Sequence, residues 1–314
     1  MIRFAMQIEP QYGFAFDEVV QLVQIAEQTG YHALWTSDHL LWDAHSPSRN
    51  CFEAWTLLTA LAPLTTTLRL GTLVTCNAYR HPSLLAKTVA CLDTISQGRV
   101  DCGIGAGWKE LEYRAYGLPF PPLGTRLAQL REAVQILKQL WTHERVSFHG
   151  TYYTLEDTLC APKPLQQPLP LWFGGQSNRL LRLVAEAADG WNLVARSTPA
   201  EVQRKREVLQ RHCDAVGRDR AAIDQSLLVL TSLCDTEQEY ARLQAEQAHL
   251  LGPDMTASLE QARRLGLVGS AAGVTDSLRR YLALGFDYVV ALFPYTHERT
   301  MLQRYAEEIW PQLG

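Results

Sequence analysis

The stretch FAMQIEPQYGFAFDEVVQLVQIAEQTGYHALWT, residues 4–36, decides the fold. Its two ends, residues 4–8 and 33–36, are short apolar runs of the kind that form buried β-strands. Between them, residues 16–29 place apolar side chains on one helical face, and Gly30 is suited to end that helix. The stretch is therefore predicted to be a β-α-β unit, the building block of proteins with a parallel sheet.

The same alternation of strand-like and helical patterns continues to the end of the chain. Eight strand-like runs, each with a helical partner, match the length and rhythm of a (β/α)8 barrel. They lie at residues 4–8, 33–36, 68–74, 100–105, 171–173, 191–194, 225–231 and 288–293. A doubly wound open sheet is the main alternative, but the G-x-G-x-x-G motif of its dinucleotide-binding form does not follow the first strand. The predicted fold class is α/β, a TIM barrel.

The interval between the fourth and fifth strands is longer than the others. Residues 127–141 carry apolar side chains at helical spacing, and residues 146–155 alternate around Gly150 like a β-hairpin. The prolines at positions 162, 164, 168 and 170 then favour an extended connector. We interpret residues 117–169 as an insertion, a helix plus a β-hairpin, within one domain that covers residues 1–314.

Composition excludes several classes of protein. The net charge is -4 and the Lys and Arg residues are scattered, so nucleic acid is not an expected partner. The seven cysteines form no C-x-x-C pair, which disfavours a disulfide framework or a zinc site. The sequence has neither a signal-peptide pattern nor an apolar run long enough to span a membrane. We expect a cytoplasmic protein with reduced thiols, no metal, no membrane partner and a small-molecule substrate.

Asp38 and His39 are the first candidates for catalysis. They follow the second predicted strand, and TIM-barrel enzymes carry their functional groups on the loops after the C-terminal ends of strands. An imidazole gives or takes a proton near neutral pH, and an adjacent carboxylate can orient it. The alternative is a structural pair in which Asp38 caps a turn and His39 makes an ordinary hydrogen bond.

Two glycine-rich stretches are candidates for binding a cofactor. GIGAGW, residues 103–108, would let backbone approach a bound ring closely, or would relieve crowding inside the barrel. LWFGGQSN, residues 171–178, runs from a strand through two glycines into a helix N-terminus. Backbone N–H groups and the helix dipole favour a phosphate there, although a simple glycine turn capped by Ser177 has the same sequence pattern.

Taken together, these stretches resemble the bacterial luciferase-like family, and more narrowly its branch of oxidoreductases that use the deazaflavin coenzyme F420. The resemblance covers nearly the whole chain. It is carried by the Asp-His pair, GTLVT with RHP at strand three, GIGAGW followed by EYRAYGLPFP, FHGTYYTLED, PKPLQQPLPLWFGG and AADGWNL. The combination is specific for the superfamily and less so for the coenzyme, because relatives that use FMN share the barrel.

The resemblance implies a role for each candidate residue. A bulge in strand three is expected to hold a cis peptide between Leu73 and Val74, with Val74 behind the cofactor ring. Asp38 and His39 would lie beside the reactive edge of the ring, with His39 as the proton donor or acceptor. The implied cofactor-binding residues are Leu73, Val74, Thr75, Gly107, Trp108, Glu112, Gly174, Gly175, Gln176 and Ser177, of which the last four would hold the phosphate.

Three functions agree with this resemblance. The leading one is hydride transfer between F420 and a small organic substrate, namely an alcohol, carbonyl, imine or activated alkene. The second is an FMN-dependent two-component monooxygenase, which needs a flavin reductase as partner. The third is a flavin-binding protein without catalysis. A homodimer is compatible with the sequence, because relatives often form dimers through barrel helices.

The substrate pocket is expected from three loops, residues 40–52, 108–123 and 250–270, and residues 252–269 of the last loop are predicted to form a mobile cover. Arg196, Ser197 and Thr198 follow the sixth strand and are candidates for binding an anionic substrate, although Ser197 or Thr198 would also serve as a helix cap. Trp172 is either part of the pocket wall or packed outward against helices.

Overall fold

Parallel β-strands close into a barrel in the computed structural model, which describes residues 2–313. The chain forms the strands β1 (Arg3–Ile8), β2 (Ala33–Thr36), β3 (Arg69–Thr72), β4 (Thr75–Cys76), β5 (Val100–Gly105), β6 (Arg145–His149), β7 (Thr154–Leu159), β8 (Leu171–Gly174), β9 (Gly190–Val194), β10 (Asp224–Leu230), β11 (Ser232–Leu233), β12 (Val268–Gly269) and β13 (Tyr288–Leu292). Around the barrel the order is β1, β2, β3 with β4, β5, β8, β9, β10 and β13, which pairs again with β1. The predicted TIM barrel is confirmed.

Helices surround the barrel. They are α1 (Phe16–Thr29), α2 (Ala54–Leu61), α3 (Pro82–Ile95), α4 (Glu110–Ala115), α5 (Leu123–Thr142), α6 (Asn178–Ala187), α7 (Pro199–Val216), α8 (Glu237–Leu251), α9 (Pro253–Arg264), α10 (Ala271–Leu282), α11 (Glu298–Arg304) and α12 (Trp310–Leu313), with a π-helical turn at Tyr305–Ile309. Within residues 2–313, no helix combines the length and the apolar character that a bilayer crossing requires. All seven cysteines lie in the described part of the chain and are free thiols.

The interval between β5 and β8 contains α4, α5 and an antiparallel hairpin of β6 and β7. α5 contacts both α3 and α6, so it holds the place of the barrel's fourth outer helix. Relative to a plain β/α repeat, the additional elements are therefore the short α4 and the hairpin with its proline-rich connector, in which Pro162 and Pro168 follow cis peptide bonds, whereas the helix predicted as part of the insertion is the barrel's own α5.

Aromatic rings fill the lower half of the barrel interior. Trp35 and Trp172 cross edge to face with ring centroids 5.6 Å apart, and Trp172 meets Tyr288 in the same way at 5.7 Å. The indole N–H of Trp35 donates to the Tyr288 hydroxyl over 2.8 Å, so the polar atoms of these two side chains are paired. Trp172 therefore points into the barrel below the cavity, so of the two alternatives for this residue, outward packing against helices is wrong, and Trp172 is not among the cavity-lining residues either.

The third barrel strand is interrupted where β3 gives way to β4, and the peptide bond between Leu73 and Val74 is cis, as the resemblance implied. Val74 packs against glycines of two neighbouring strands. A Cβ added to Gly105 would lie 2.7 Å from Val74 Cγ2, and one added to Gly174 would lie 2.9 Å from Val74 Cγ1. The glycine alternation therefore relieves crowding around Val74, which is the second of the two interpretations given for residues 103–108.

Gly103→Ala is expected to destabilise the barrel. A Cβ at Gly103 would lie 1.9 Å from the Thr72 carbonyl oxygen, so the strand backbone itself would have to move, at about 1–3 kcal/mol or more. The midpoint of thermal unfolding should fall by several degrees. Gly124→Ala in α5 is the matched control, because its nearest neighbour is the mobile end of Arg179 at 3.4 Å. Equal effects of the two substitutions would contradict the packing argument.

Candidate active site

A cavity of about 370 Å³ opens at the C-terminal end of the barrel strands, above the aromatic layer. Its walls come from the loops and strand ends of β2, β4, β5, β8, β9 and β10. All twelve residues predicted from the sequence lie in these walls: Asp38, His39, Leu73, Val74, Thr75, Gly107, Trp108, Glu112, Gly174, Gly175, Gln176 and Ser177. The strands thus bring together residues that are up to 139 positions apart, from 38 to 177.

His39 is held by Glu112, a residue at the start of α4. The Glu112 carboxylate lies 2.9 Å and 3.1 Å from His39 Nδ1, and its side chain is fully buried. The sequence interpretation that the adjacent Asp38 orients the imidazole is therefore wrong. The partner comes from a different loop, 73 positions along the chain, and no spacing rule connects the two residues.

The Glu112 carboxylate is kept ionised by the groups around it. Burial opposes its charge, but hydrogen bonds from His39, from Tyr79 Oη at 2.6 Å and from Leu40 N at 2.8 Å outweigh the burial. Together they lower the pKa of Glu112 to about 2. Lys109 Nζ lies 3.6 Å from the same carboxylate and adds a favourable charge.

The ionised carboxylate fixes the tautomer of His39. A carboxylate can only accept hydrogen bonds, so Nδ1 of His39 must carry a hydrogen, and in the neutral ring the lone pair is at Nε2. Among residues 2–313, Nε2 has no hydrogen-bond partner. The Trp108 ring meets the imidazole edge to face at 5.7 Å and is 71% exposed at the cavity rim. His39 is thus arranged to accept or return a proton at Nε2.

Asp38 is bound to Arg80 instead. Two guanidinium nitrogens donate to its two carboxylate oxygens over 2.6 Å and 2.8 Å, and the Cys76 backbone N–H donates over 3.0 Å. Arg80 also pairs with Glu53, the residue before α2. Asp38 therefore ties the end of β2 to the residues that follow β4, and its oxygens are already engaged. Its geometry fits a positioning residue better than the catalytic role predicted for it.

Cys76 lies in the same wall, next to the bulge. Its Sγ lies 3.1 Å from the hydroxyl of Tyr113, and burial raises the pKa of the thiol to about 11. A Cβ at Gly107 would lie 2.0 Å from that hydroxyl, so Gly107 makes room for the Cys76–Tyr113 pair. Both residues therefore pack the wall, and Cys76 is a protonated thiol at neutral pH.

The turn after β8 leads into the N-terminus of α6. The Ser177 hydroxyl caps that helix by accepting the Leu180 N–H over 3.2 Å, and the Gly175 carbonyl accepts from the Trp191 indole over 2.9 Å. Within residues 2–313, the backbone N–H groups of Gln176 and Asn178 have no hydrogen-bond partner. The capped glycine turn and the open N–H groups coexist, so neither sequence interpretation excludes the other.

A second, smaller chamber of about 140 Å³ shares the walls Val194 and Leu228 with the main cavity. It is lined by the ends of β1, β9, β10 and β13 and by α9. Residues 253–264, part of the segment predicted to be a mobile cover, form α9 and contribute to the lining of this chamber. Thr198 caps α7, as one of the two sequence interpretations proposed, and its N–H donates to Glu201 over 2.8 Å.

Sequence reasoning missed several residues of this site. Tyr79 and Lys109 gave no signal, because their importance comes from contacts with Glu112 that only the folded chain makes. Arg80 lies inside the RHP motif, but no local sequence pattern links it to Asp38, the residue it binds. Within residues 2–313, no group of three or more His, Cys, Asp or Glu side chains is arranged to hold a metal ion.

The barrel and the cavity at its C-terminal mouth, with a polarised histidine over a bulged strand, define a TIM-barrel enzyme. The profile of the luciferase-like monooxygenase family matches residues 2–288. The chain belongs to this family.

Relatives in sequence include enzymes of two cofactor types. An F420-dependent glucose-6-phosphate dehydrogenase from Kineococcus radiotolerans is 27% identical over 323 residues, covering 96% of this chain and 94% of the relative. An FMNH2-dependent dimethylsulfone monooxygenase from Pseudomonas putida is 28% identical over 240 residues, covering 76% of this chain and 64% of the relative.

Solved structures agree on the fold. An F420-dependent secondary alcohol dehydrogenase in complex with an F420-acetone adduct superposes with a TM-score of 0.84 at 20% identity, covering 100% of this chain and 99% of the other. A monooxygenase from Streptomyces bottropensis gives a TM-score of 0.84 at 21% identity, with 100% of both chains covered. At these sequence identities, the structural likeness shows the fold alone.

The contribution of Glu112 to stability should depend on pH. Its pKa is lower in the folded state, about 2 against an ordinary 4.5, so its stabilising effect is complete above pH 4.5 and is lost as pH falls towards 2. The difference in free energy of unfolding between the native protein and Glu112→Gln should shrink by about 1.4 kcal/mol per pH unit in that window. Denaturant titrations at a series of pH values measure it.

Glu110→Gln is the control, because Glu110 lies on the same helix with a half-exposed side chain. Its effect on the free energy of unfolding should be small and nearly constant over the same range. A constant difference for Glu112→Gln would show that folding does not lower the pKa of this carboxyl group.

Proposed function

We propose that the enzyme transfers a hydride between the deazaflavin coenzyme F420 and a small organic substrate, with His39 as the proton donor or acceptor. The observation that carries the proposal is the His39–Glu112 pair, which leaves Nε2 free in the wall of the cavity above the bulge. The similarity to F420-dependent dehydrogenases supports the choice of coenzyme. Alcohols and carbonyl compounds are the favoured substrates, and imines or activated alkenes are further members of the class.

The residues present fit such a cofactor. Leu73 and Val74 give the cavity an apolar wall, and Val194 and Leu228 provide apolar surface elsewhere in it. Gly105 and Gly174 leave Val74 the room it needs, since a Cβ on either residue would overlap it. A flat, largely apolar ring is the kind of group that these walls accept.

The anionic part of the cofactor would be held at the turn between β8 and α6. Gly174, Gly175, Gln176 and Ser177 line the cavity there, and open backbone N–H groups at a helix N-terminus bind phosphate well. Thr75, Gly107 and Trp108 would complete the contacts on the β4 and β5 side. These assignments follow the family resemblance and the shape of the cavity.

The cofactor supplies the hydride donor or acceptor, and the chain supplies the proton and the positioning. In alcohol oxidation, Nε2 of His39 would take the hydroxyl proton as the C–H bond breaks, so that the imidazole becomes cationic next to the Glu112 carboxylate. In carbonyl reduction the same nitrogen would return that proton to the oxygen. Tyr79 and Lys109 act as positioning residues, because they hold Glu112 rather than the substrate.

The choice of cofactor can be tested by binding. Titrating the protein with oxidised F420 and, separately, with FMN should quench tryptophan fluorescence more strongly and at lower concentration with F420. Trp108 lies at the cavity rim, and Trp191 donates to the Gly175 carbonyl in the turn after β8, so the fluorescence of both should change on binding. Sub-micromolar binding of FMN with no binding of F420 would favour the alternative, a two-component monooxygenase that depends on a flavin reductase.

His39→Ala should lower the rate of hydride transfer by at least 100-fold and leave cofactor affinity nearly unchanged, because general acid-base catalysis contributes about 10²–10⁴. Stopped-flow absorbance of the deazaflavin, with a panel of alcohols and carbonyl compounds, measures the rate. His143→Ala, at the exposed end of α5, is the control. Unchanged rates in His39→Ala would remove His39 from the mechanism, and a complete lack of turnover in the native protein would favour a non-catalytic flavin-binding role.

A further inference from the structure

Asn192 places a buried amide in the wall of the main cavity. It lies on β9, is 2% exposed, and lines the cavity together with Val194 and Leu228. Its Nδ2 donates to the Ser226 hydroxyl of β10 over 2.9 Å and lies 3.5 Å from the carbonyl oxygen of the same residue. Within residues 2–313, Oδ1 of Asn192 accepts no hydrogen bond. One end of the amide is thus fixed, and the other end has no partner in the chain.

The amide lies at the height of the bulge. Asn192 is the register partner of Gly174 on the neighbouring strand β8, and a Cβ added to Gly174 would lie 2.9 Å from Val74 Cγ1. Because paired residues of parallel strands point to the same face of the sheet, Asn192 points into the barrel as Gly174 does. Trp172, two residues before Gly174, belongs to the aromatic layer below. The amide therefore lies just above the floor of the cavity.

The carboxylates in the same wall have partners, whereas this amide keeps one end open. Asp38 is bound to Arg80 by two hydrogen bonds. Glu112 is bound to His39. A ligand that displaces solvent from this part of the cavity must therefore offer Asn192 a matching group, because a buried polar atom that loses its hydrogen bond costs binding free energy.

The ring of the proposed coenzyme has two polar edges with different needs. The pyrimidine edge, which F420 and FMN share, carries two carbonyl groups and an N–H and requires several partners when it is buried. The benzo edge carries one hydroxyl group in F420 and two methyl groups in FMN. Around Asn192 the wall consists of Gly174, Val194 and Leu228, so it offers one amide surrounded by apolar surface. An edge with a single hydroxyl matches this wall.

We propose that the open end of the Asn192 amide hydrogen-bonds to the ring hydroxyl of F420 and makes the site selective for the deazaflavin over FMN. The inference rests on the proposed function for the presence of F420. A hydroxyl group both donates and accepts, so it can pair with either end of an amide. The methyl groups of FMN at the same place would cover the amide and leave it unpaired. Ser226 is the positioning residue, because it holds the other end of the amide.

Asn192→Leu tests the contact, because leucine has nearly the shape of asparagine but no hydrogen-bonding group. Titrations that follow tryptophan fluorescence give the affinities for oxidised F420 and, separately, for FMN. The binding of F420 should weaken at least about fivefold, and that of FMN should not weaken. Thr275→Val is the matched control and should change neither affinity. Thr275 is also a buried polar side chain whose hydroxyl has no partner within residues 2–313, but it lies on α10, outside the cavity.

The bound coenzyme gives a second readout that does not depend on turnover. The ring hydroxyl is a phenol-type acid, so its ionisation changes the absorbance of the deazaflavin. A pH titration of the bound, oxidised coenzyme should give a different pKa for this hydroxyl in the native protein and in Asn192→Leu, because the hydrogen bond acts on that oxygen. Asn192→Ala should show the same loss and replaces the leucine variant if that variant does not fold. Ser226→Ala should cause a smaller loss of F420 affinity.

Three results would overturn the contact. One is an affinity for F420 that both substitutions of Asn192 leave unchanged. Another is a loss of affinity by the same factor for F420 and FMN, because the amide would then face the pyrimidine edge that both coenzymes share. The third is a pKa of the ring hydroxyl that does not change when the amide is removed.

Failure of this inference is distinguishable from failure of the proposed function. A native protein that binds F420 and oxidises alcohols, with unchanged F420 affinity in Asn192→Leu, would retain the proposed function and remove the contact. A native protein that does not bind F420 would remove the proposed function itself, before any variant is compared.

Discussion

The packing of Trp35, Trp172 and Tyr288 determines where in the barrel a ligand can bind. The three rings fill the lower barrel in edge-to-face contacts, and their one internal hydrogen bond pairs the polar atoms of Trp35 and Tyr288. Because a closed eight-stranded barrel has an interior only wide enough for side chains, a filled lower half leaves the C-terminal mouth as the place for a ligand. The functional loops therefore surround a cavity with a solid floor.

The tautomer of His39 depends on a buried charge. Glu112 keeps its negative charge because four donors, His39, Leu40, Leu41 and Tyr79, converge on its two oxygens. Ionised, it can only accept, so it fixes the hydrogen of His39 at Nδ1 and would stabilise the imidazolium that proton uptake would form. The tautomer of one histidine is thus fixed by three different loops, after β2, β4 and β5.

The sequence predicts the fold and the residues that line the cavity more completely than the contacts among those residues. The eight strand positions and their order follow from apolar periodicity, and barrel topology then gathers the strand ends at one mouth, which is why all twelve predicted residues line one cavity. The hydrogen-bond partner of each side chain does not follow from the barrel topology. Asp38 adjoins His39 in the chain, yet it pairs with Arg80, because side chains of successive residues leaving a strand point in different directions.

The two cavities divide the mouth of the barrel into parts with different electrostatics. The main cavity is largely apolar around Val74, and both of its carboxylates are committed to protein partners, Glu112 to His39 and Asp38 to Arg80. The smaller chamber is lined by the Glu9 carboxylate, which accepts hydrogen bonds from Gln7 and Gln11, and by Arg196, whose side chain is exposed. Because Val194 and Leu228 belong to both walls, a molecule that fills the smaller chamber would lie next to the cavity that His39 lines.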